Sequence, residues 1–357
     1  MNQPFMSVVV IAYNSAKIIG RALDSLLAQD YPKDRYEIIV VNDGSTDNTA
    51  EVVSRYKPVQ LITLPKNKGI AAGRNAGLAK ARGDVYVAFD SDCYAKTDWL
   101  SQLARGYSLE KPAGVGGRLI GVGGSRSLLM RYIEASDGGL PVKTQNAADV
   151  SSRSLWQRFG GYLAGSLRKN HIESATESSE VTDLYGANGS FPIDILRTIG
   201  GWNESMAAPA IGGIEDRDLC HRIRKAFADY HFYAMHHALM MHDPTITFKK
   251  YMLRPWRRGP FNYLFHVGNS MMPPIFPFPI VFALVVLMTV GMWPIAALIE
   301  LLILPLVLYF AWPVRAIREH QMIYFVFPYL QLCEETMVLA GLFKGFLMHN
   351  KGTHETH

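Results

Sequence analysis

Gly83-Asp-Val-Tyr-Val-Ala-Phe-Asp-Ser-Asp-Cys93 is the stretch from which the rest of the chain can be read. Tyr86 to Phe89, β-branched and aromatic, predict a short buried strand. Asp90 and Asp92 follow at once, with the small Ser91 between them. In extended backbone, residues two apart point the same way, so both carboxylates would face one spot at the strand's end. In an open α/β sheet that edge is where ligands bind. Carboxylate oxygens there suit Mg²⁺ or Mn²⁺, which keep water and take phosphate oxygens as further ligands. An isolated Asp-x-Asp is more often an acidic turn capping the next helix, so the flanking sequence has to decide.

Upstream, Ser7 to Asn14 is an apolar run ended by polar Asn14, the pattern of a central parallel strand covered on both faces. Ala16 to Ala28 carries apolar residues at helical spacing, and Tyr36 to Val41 is a second buried strand. Asp47 with Glu51, or Ser45 with Asn48, offers an N-cap for a helix over 48–56. Val59 to Leu64 gives a third strand, and Ile70 to Ala81 an alanine-rich helix containing Arg74. Strand–helix–strand repetition with such short connections predicts a doubly wound sheet. Gly69 and its small neighbours allow either close ligand approach or tight packing. Arg74, at a helix start near an acidic strand end, is a candidate phosphate clamp.

Downstream, Val115 to Gly121 reads as a strand, and Leu128–Ala135 and Leu155–Leu167 have helical patterning. Glu173 to Thr182, polar and acidic, reads as a mobile loop. Ile193 to Ile199 and Leu219 to Ala228 are helical, the latter with Glu215, Asp216 and Asp218 at its N-terminal end. The helix dipole favours negative charge there but does not explain three crowded acids. Phe232 to Met241 reads as a last strand, ended by His242.

In order and spacing, these pieces resemble family 2 glycosyltransferases of the GT-A fold, from about Ser7 to His242. The matching residues are Ala12-Tyr13-Asn14, Val41-Asn42-Asp43-Gly44-Ser45, Asn67-x-Gly69 with Arg74-Asn75, Gly83-Asp84 and Asp90-x-Asp92. They continue with Gly186-x-Asn188, Gly200-Gly201-Trp202-x-Glu204, Glu215-Asp216-x-Asp218-Leu219-x-x-Arg222 and the strand ending in His242. The resemblance implies an α/β fold, a Rossmann-like doubly wound mixed sheet, as the catalytic domain over 1–245. It implies that Asp43, with backbone around Ala12, Tyr13 and Asn14, holds the nucleotide base. Asp90 would lie near the ribose, with Gly69, Arg74 and Ser91 also on the donor. Asp92 and His242 would hold the metal, Mg²⁺ or Mn²⁺. Asp216 would be the catalytic base, with Glu215 the second candidate. His236 and His237 stand where the family more often has Pro and an acid, and are assigned no role.

Composition adds a second part. The chain has 357 residues and a net charge of +5, which is mild, and nucleic acid is not an expected partner. Its three cysteines form no zinc or redox pattern, which fits a reducing compartment. The apolar run near the N-terminus is too short for a signal peptide and lacks a basic leader. From Met272 to Trp312 the only charge is Glu300. One helix of about 40 residues would reach roughly 60 Å, twice a bilayer core. Gly291 and Pro294 offer a break, predicting spans near 275–293 and 295–312 within a membrane domain over 246–357. Basic residues flank both ends, which predicts a multi-pass inner-membrane protein with its catalytic domain cytoplasmic. Met322 to Leu347 reads as interfacial helices. Arg257 and Arg258, just before the first span, are either an ordinary basic flank or a grip on the phosphate of a lipid-linked acceptor.

The expected activity is inverting transfer of a sugar from a UDP-, GDP- or TDP-linked donor to a polyprenyl-linked acceptor, for cell-surface glycan or glycolipid synthesis. Polysaccharide synthases are a weaker match, because Arg254-Pro-Trp-Arg-Arg258 departs from their Gln-x-x-Arg-Trp segment. A nucleotidyltransferase or a non-catalytic nucleotide-binding scaffold are the other readings of the same sheet and acids.

Overall fold

The computed structural model describes residues 3–121, 128–129, 131–132, 177–208, 212–242, 247–274, 276–290 and 293–354. Of these, 3–121, 177–208 and 212–242 form one compact unit, and 128–132 with everything from 247 onward form another. The helical pattern expected over 155–167 lies outside the described residues. Leu128, Leu129, Arg131 and Tyr132 are helical and belong with the second unit.

The first unit alternates β1 (Met6–Ala12), α1 (Ile19–Leu27), β2 (Tyr36–Asn42), α2 (Thr49–Ser54), β3 (Val59–Thr63), α3 (Ile70–Leu78) and β4 (Val85–Asp90). It continues with β5 (Cys93–Ala95), α4 (Trp99–Gly106), β6 (Pro112–Gly121), β7 (Ser178–Val181), β8 (Gly189–Pro192) and α5 (Ile193–Thr198). The two-residue strands β9 (Ala207–Ala208) and β10 (Gly212–Gly213), then α6 (Glu215–Ala226) and β11 (His231–His242), complete it. The main sheet runs β3-β2-β1-β4-β8-β6-β11-β5, with β7 also on β11. Strands β1 to β4 are parallel, and so are β6 and β11. β8 lies antiparallel between β4 and β6, and β5 and β7 lie antiparallel on β11.

The alternation of side chains across the sheet divides the core in two. Val8, Val10, Ile38, Val40, Val87 and Phe89 pack with α1 and α4 through Leu23, Leu26, Trp99 and Leu103. Val9, Ile11, Ile39, Val41, Tyr86 and Ala88 pack on the other face with α3, α5 and α6 through Ala71, Leu196, Leu219 and Ile223. Runs of consecutive buried residues in β1 and β2 are what a sheet covered on both faces requires. The chain winds outward from β1 in both directions, first to β2 and β3 and then to β4. The carboxyl ends of β1, β2 and β4 therefore form a switch-point crevice. Register places Ala12 beside Asn42 and Ile11 beside Asp90 at that edge.

Two predictions change in this unit. Residues 178–181, expected to be a mobile loop, form β7, because the edge of β11 supplies backbone partners that outweigh a polar composition. The helix expected from Leu219 begins at Glu215 instead, so its acids lie in the first helical turn.

The second unit contains α7 (Phe248–Gly268), α8 (Pro277–Val290), α9 (Pro294–Leu308), α10 (Ala311–Arg318), a 3₁₀ turn over Met322–Phe325, and α11 (Phe327–His354). Tyr132, Phe278, Tyr309, Trp312 and Phe327 build its apolar nest. Tyr132 and Tyr251 donate to Glu334 and Tyr309 to Glu335, so these acids are hydrogen-bonded within the unit. The two spans expected near 275–293 and 295–312 appear as shorter helices of 14 and 15 residues. At 1.5 Å per residue these reach roughly 21 and 23 Å, less than a hydrocarbon core of about 30 Å. Among the described residues no single helix is long and apolar enough to cross a membrane; α9 and α10 meet that test only as a pair bent by 73°. Pro313 accounts for the bend, because its ring would clash with the Tyr309 carbonyl in a continuous helix and it has no N–H to offer.

α7 lies against α11 where both carry glycine. A Cβ on Gly341 would fall 2.6 Å from the Pro255 carbonyl oxygen, and one on Gly259 would fall 2.1 Å from the Gly341 backbone. Gly341→Val is expected to lower the unfolding midpoint, since overpacking costs about 1–3 kcal/mol. Thermal melts followed by circular dichroism would show it, and an unchanged midpoint would contradict so close a contact.

Candidate active site

The switch-point edge is lined by polar loops that hold one another. Asn14, with left-handed backbone at φ 51°, donates its N–H to Ser45 Oγ (2.9 Å), and its Oδ1 accepts from Thr46 N–H (2.8 Å). Asp43 is buried, and its carboxylate accepts the N–H groups of Lys68 (2.7 Å) and Gly69 (2.8 Å). Asp43 thereby fixes the loop after β3, and Gly69, with φ 92°, opens α3 from that loop. Ala12 is buried in β1 and Tyr13 is exposed at its end. Asp47 Oδ1 accepts from Thr49 N–H at 3.0 Å, while the N-cap of α2 is Asn48, whose side chain makes no capping hydrogen bond, so neither expected N-cap is made.

The two acids of the pair take different nearest partners. Asp90 ends β4, the chain turns through Ser91 and Asp92, and β5 starts at Cys93. The expectation assumes extended backbone through Asp92, whereas the backbone turns at Ser91 and Asp92. Asp90 approaches the Arg74 guanidinium at 3.7 Å, while Asp92 Oδ2 lies 3.2 Å from His242 Nε2. Ser91 Oγ pairs with Ser15 Oγ at 2.8 Å. Burial pushes the Asp90 carboxyl up, with the Arg74 charge opposing. Burial also acts on Asp92, but the hydrogen bond and charge of His242 outweigh it and hold that carboxyl below the usual range.

Arg74 is the hub. It is 2% exposed, and its Nη1 donates to Asp216 Oδ1 (2.5 Å) and Glu215 Oε1 (3.1 Å). Burial disfavours its charge, but Asp216, Glu215 and Asp90 more than offset that and raise its pKa. Arg74, expected as a phosphate clamp, ties the acids of α6 to the end of β4. Gly186 N–H donates to the other Asp216 oxygen at 3.0 Å. A Cβ on Gly186 would fall 2.1 Å from Asp216 Oδ2 and 2.4 Å from Arg74 Nη2, so only glycine fits. Asp216 keeps a partly exposed carboxylate, while Glu215 is nearly enclosed.

The surrounding motif residues hold this arrangement. Asn75 Nδ2 donates to the Trp202 carbonyl (2.9 Å), and Asn75 Oδ1 accepts Trp202 N–H (2.9 Å). Arg222 donates to Asp218 (2.7 Å) and to the carbonyls of Ile199 and Gly201. Asp218 and Arg222 thus brace the turn that carries Trp202. His236 is buried beside Ser179, 3.0 Å from its Oγ. Arg257, exposed, and Arg258, half-buried, lie on α7 in the second unit. The roles of Gly186 and Asn75 were not read from sequence; both stand in quoted motif segments, but nothing local distinguishes a contact glycine from a turn glycine.

Asp92 and His242 supply oxygen and nitrogen donors at one spot, a set that fits a divalent ion. An edge of this kind, at the carboxyl ends of strands in an open α/β sheet, is where ligands bind. Residues 7–173 match the family model for glycosyl transferase family 2. The chain is 26% identical over 266 residues to the probable glycosyltransferase YdaM of Bacillus subtilis (strain 168), covering 72% of this chain and 55% of that protein. It is 37% identical over 114 residues to the dolichyl-phosphate beta-glucosyltransferase ALG5C of Trichomonas vaginalis, covering 29% of this chain and 34% of that one. The chain therefore spans about half or less of the length of these relatives. The mannosyltransferase PcManGT from Pyrobaculum calidifontis, solved with GDP-Man and Mn²⁺, shares the fold: TM-score 0.61 and 16% identity, over 97% of this chain and 88% of that one.

Arg74→Leu would strand three carboxylates. Breaking such a buried pair costs about 3–5 kcal/mol, measurable by urea unfolding at neutral pH. The stranded acids would have raised pKa values in the folded variant, so lowering the pH should recover part of the loss. A penalty that grows as pH falls would contradict the cluster.

Proposed function

We propose that the protein is an inverting glycosyltransferase that moves a sugar from a nucleotide-linked donor to a lipid-phosphate acceptor. The observation that carries the reading is Arg74, one guanidinium joining Asp90 at the end of β4 to Glu215 and Asp216 at the start of α6. Donor-side and acceptor-side acids are thereby gathered at the sheet edge where the loops of Asn14 and Asp43 also meet.

In this reading Asp216 takes the acceptor hydroxyl's proton during a single displacement through an oxocarbenium-like state. Gly186 N–H and Arg74 orient its carboxylate, and Glu215 shares Arg74 from a more enclosed position. The loops held by Asp43 and Asn14, with Tyr13, Gly69 and Ser91, receive the nucleoside. Asp92 and His242 would hold Mg²⁺ or Mn²⁺, which supplies positive charge where the departing diphosphate gains negative charge. The donor is a UDP-, GDP- or TDP-linked sugar; a relative by fold was solved with GDP-Man and Mn²⁺. A lipid-linked acceptor draws support from a relative named for dolichyl phosphate. Large apolar side chains exposed along α8 and α9, including Leu287, Met288, Ile295 and Leu302, support attachment to a membrane. The basic residues of α7, Arg254 and Arg257 among them, favour the cytoplasmic face and an anionic headgroup or lipid phosphate.

Purified full-length protein with Mn²⁺ and a panel of UDP-, GDP- and TDP-sugars should consume one donor, and faster when a polyprenyl phosphate is added. Asp216→Asn is expected to bind that donor as the unsubstituted chain does while turnover falls about 10²–10⁴-fold. Equal loss of binding and turnover would count against Asp216 as the base. Absence of consumption of every donor would remove the transferase reading.

A further inference from the structure

We propose that Cys93 is a third protein donor at the Asp92–His242 position, which thereby takes Zn²⁺, Co²⁺ or Cd²⁺ through oxygen, nitrogen and sulfur in preference to Mg²⁺. The proposal rests on the reading above for the role of Asp92 and His242, and adds a ligand and an ion class to it. β5 runs antiparallel to β11 with Cys93 directly opposite His242. Residues so paired project their side chains from the same face, with Cβ atoms about 4.5–5.5 Å apart. Asp92 closes the third side: its Oδ1 accepts the Cys93 S–H at 3.8 Å, and its Oδ2 lies 3.2 Å from His242 Nε2. One donor atom from each of the three residues lies within 4.8 Å of the others.

The donor set decides which ions it holds best. Mg²⁺ favours oxygen and gains nothing from sulfur, whereas thiolate and imidazole shift preference towards zinc and its neighbours. Three protein donors with a fourth position open to water or substrate is the arrangement of reactive zinc sites. On binding, the Cys93 S–H bond breaks, an S–metal bond forms and the proton leaves to solvent, with no change of oxidation state. A hard ion leaves the thiol protonated and uses only Asp92 and His242. Hard and thiophilic ions thus compete for one position, and zinc would act as an inhibitor of an Mg²⁺- or Mn²⁺-supported reaction. Cys93 is 2% exposed, so it meets an ion only at this site, whereas Cys333 is open to solvent.

The test uses full-length, metal-free protein carrying Cys333→Ser, titrated with Co²⁺ and followed by near-ultraviolet absorption. A thiolate-to-cobalt charge-transfer band is expected and should disappear on adding Zn²⁺. Cys93→Ser should abolish the band and weaken Zn²⁺ binding at least roughly tenfold, the floor set by what losing an outer-shell partner does. Mn²⁺ affinity, read by electron paramagnetic resonance, should stay as it was. Bound Co²⁺ without the band, or unchanged Zn²⁺ affinity in Cys93→Ser, overturns the proposal. If Cys93→Ser folds poorly, the cobalt spectrum of the chain with Cys93 intact decides alone. Failure of the transferase reading looks different: the cobalt band persists, supporting the three-donor site, while no sugar donor is consumed with any ion.

Discussion

A guanidinium with 2% exposure cannot remain in a protein interior without carboxylates around it, and the site is arranged to meet that demand. Arg74 enters on α3, Asp90 at the end of β4, and Glu215 with Asp216 on the first turn of α6. Those elements are separated by up to 142 positions in sequence, so the ion cluster is also what brings the two halves of the sheet edge together. The reverse holds too: three acids would repel one another this close to a single point without the cation among them. Mutual dependence of this kind favours one geometry for Asp216 over many.

The sheet makes the cluster possible by ending its strands together. β1, β2 and β4 stop within a residue of one another in register, and their loops are tied by side chains rather than by further strands. Asp43 spends both carboxylate oxygens on backbone N–H groups of the next loop, a use the sequence does not announce. Its charge is placed at the strand-end edge as the fastener of that edge. Asn75, Asp218 and Arg222 act similarly further out, converting motif residues into a frame for Trp202.

Periodicity made most strands and helices legible, because β1, β2 and β4 are largely apolar runs and the helices between them carry apolar residues at helical spacing. It failed where partners come from elsewhere. β7 is polar and forms only because β11 offers an edge, and α6 starts four residues early because its acids sit in the first turn. Asp92 was legible as a candidate metal ligand, while the turn at Ser91 was not, since a turn there cannot be told from an extended step by composition. In the second unit the apolar run from Met272 was evident, while its division at 308 followed from Pro313, whose effect falls four residues upstream. The Gly341–Gly345 stripe that admits α7 is an ordinary pair of glycines until the facing helix is known.

The amino-acid order alone determined a doubly wound α/β unit, the edge at which its polar residues collect, and the chemical types gathered there, because hydrophobic alternation and strand-end polarity are local properties of the chain. Only the tertiary structure decided that Arg74 pairs with Asp216, Glu215 and Asp90, and that Cys93 stands across from His242. Those pairings depend on strand register and helix placement, which are set by packing between segments far apart in the chain and leave no mark on the residues themselves.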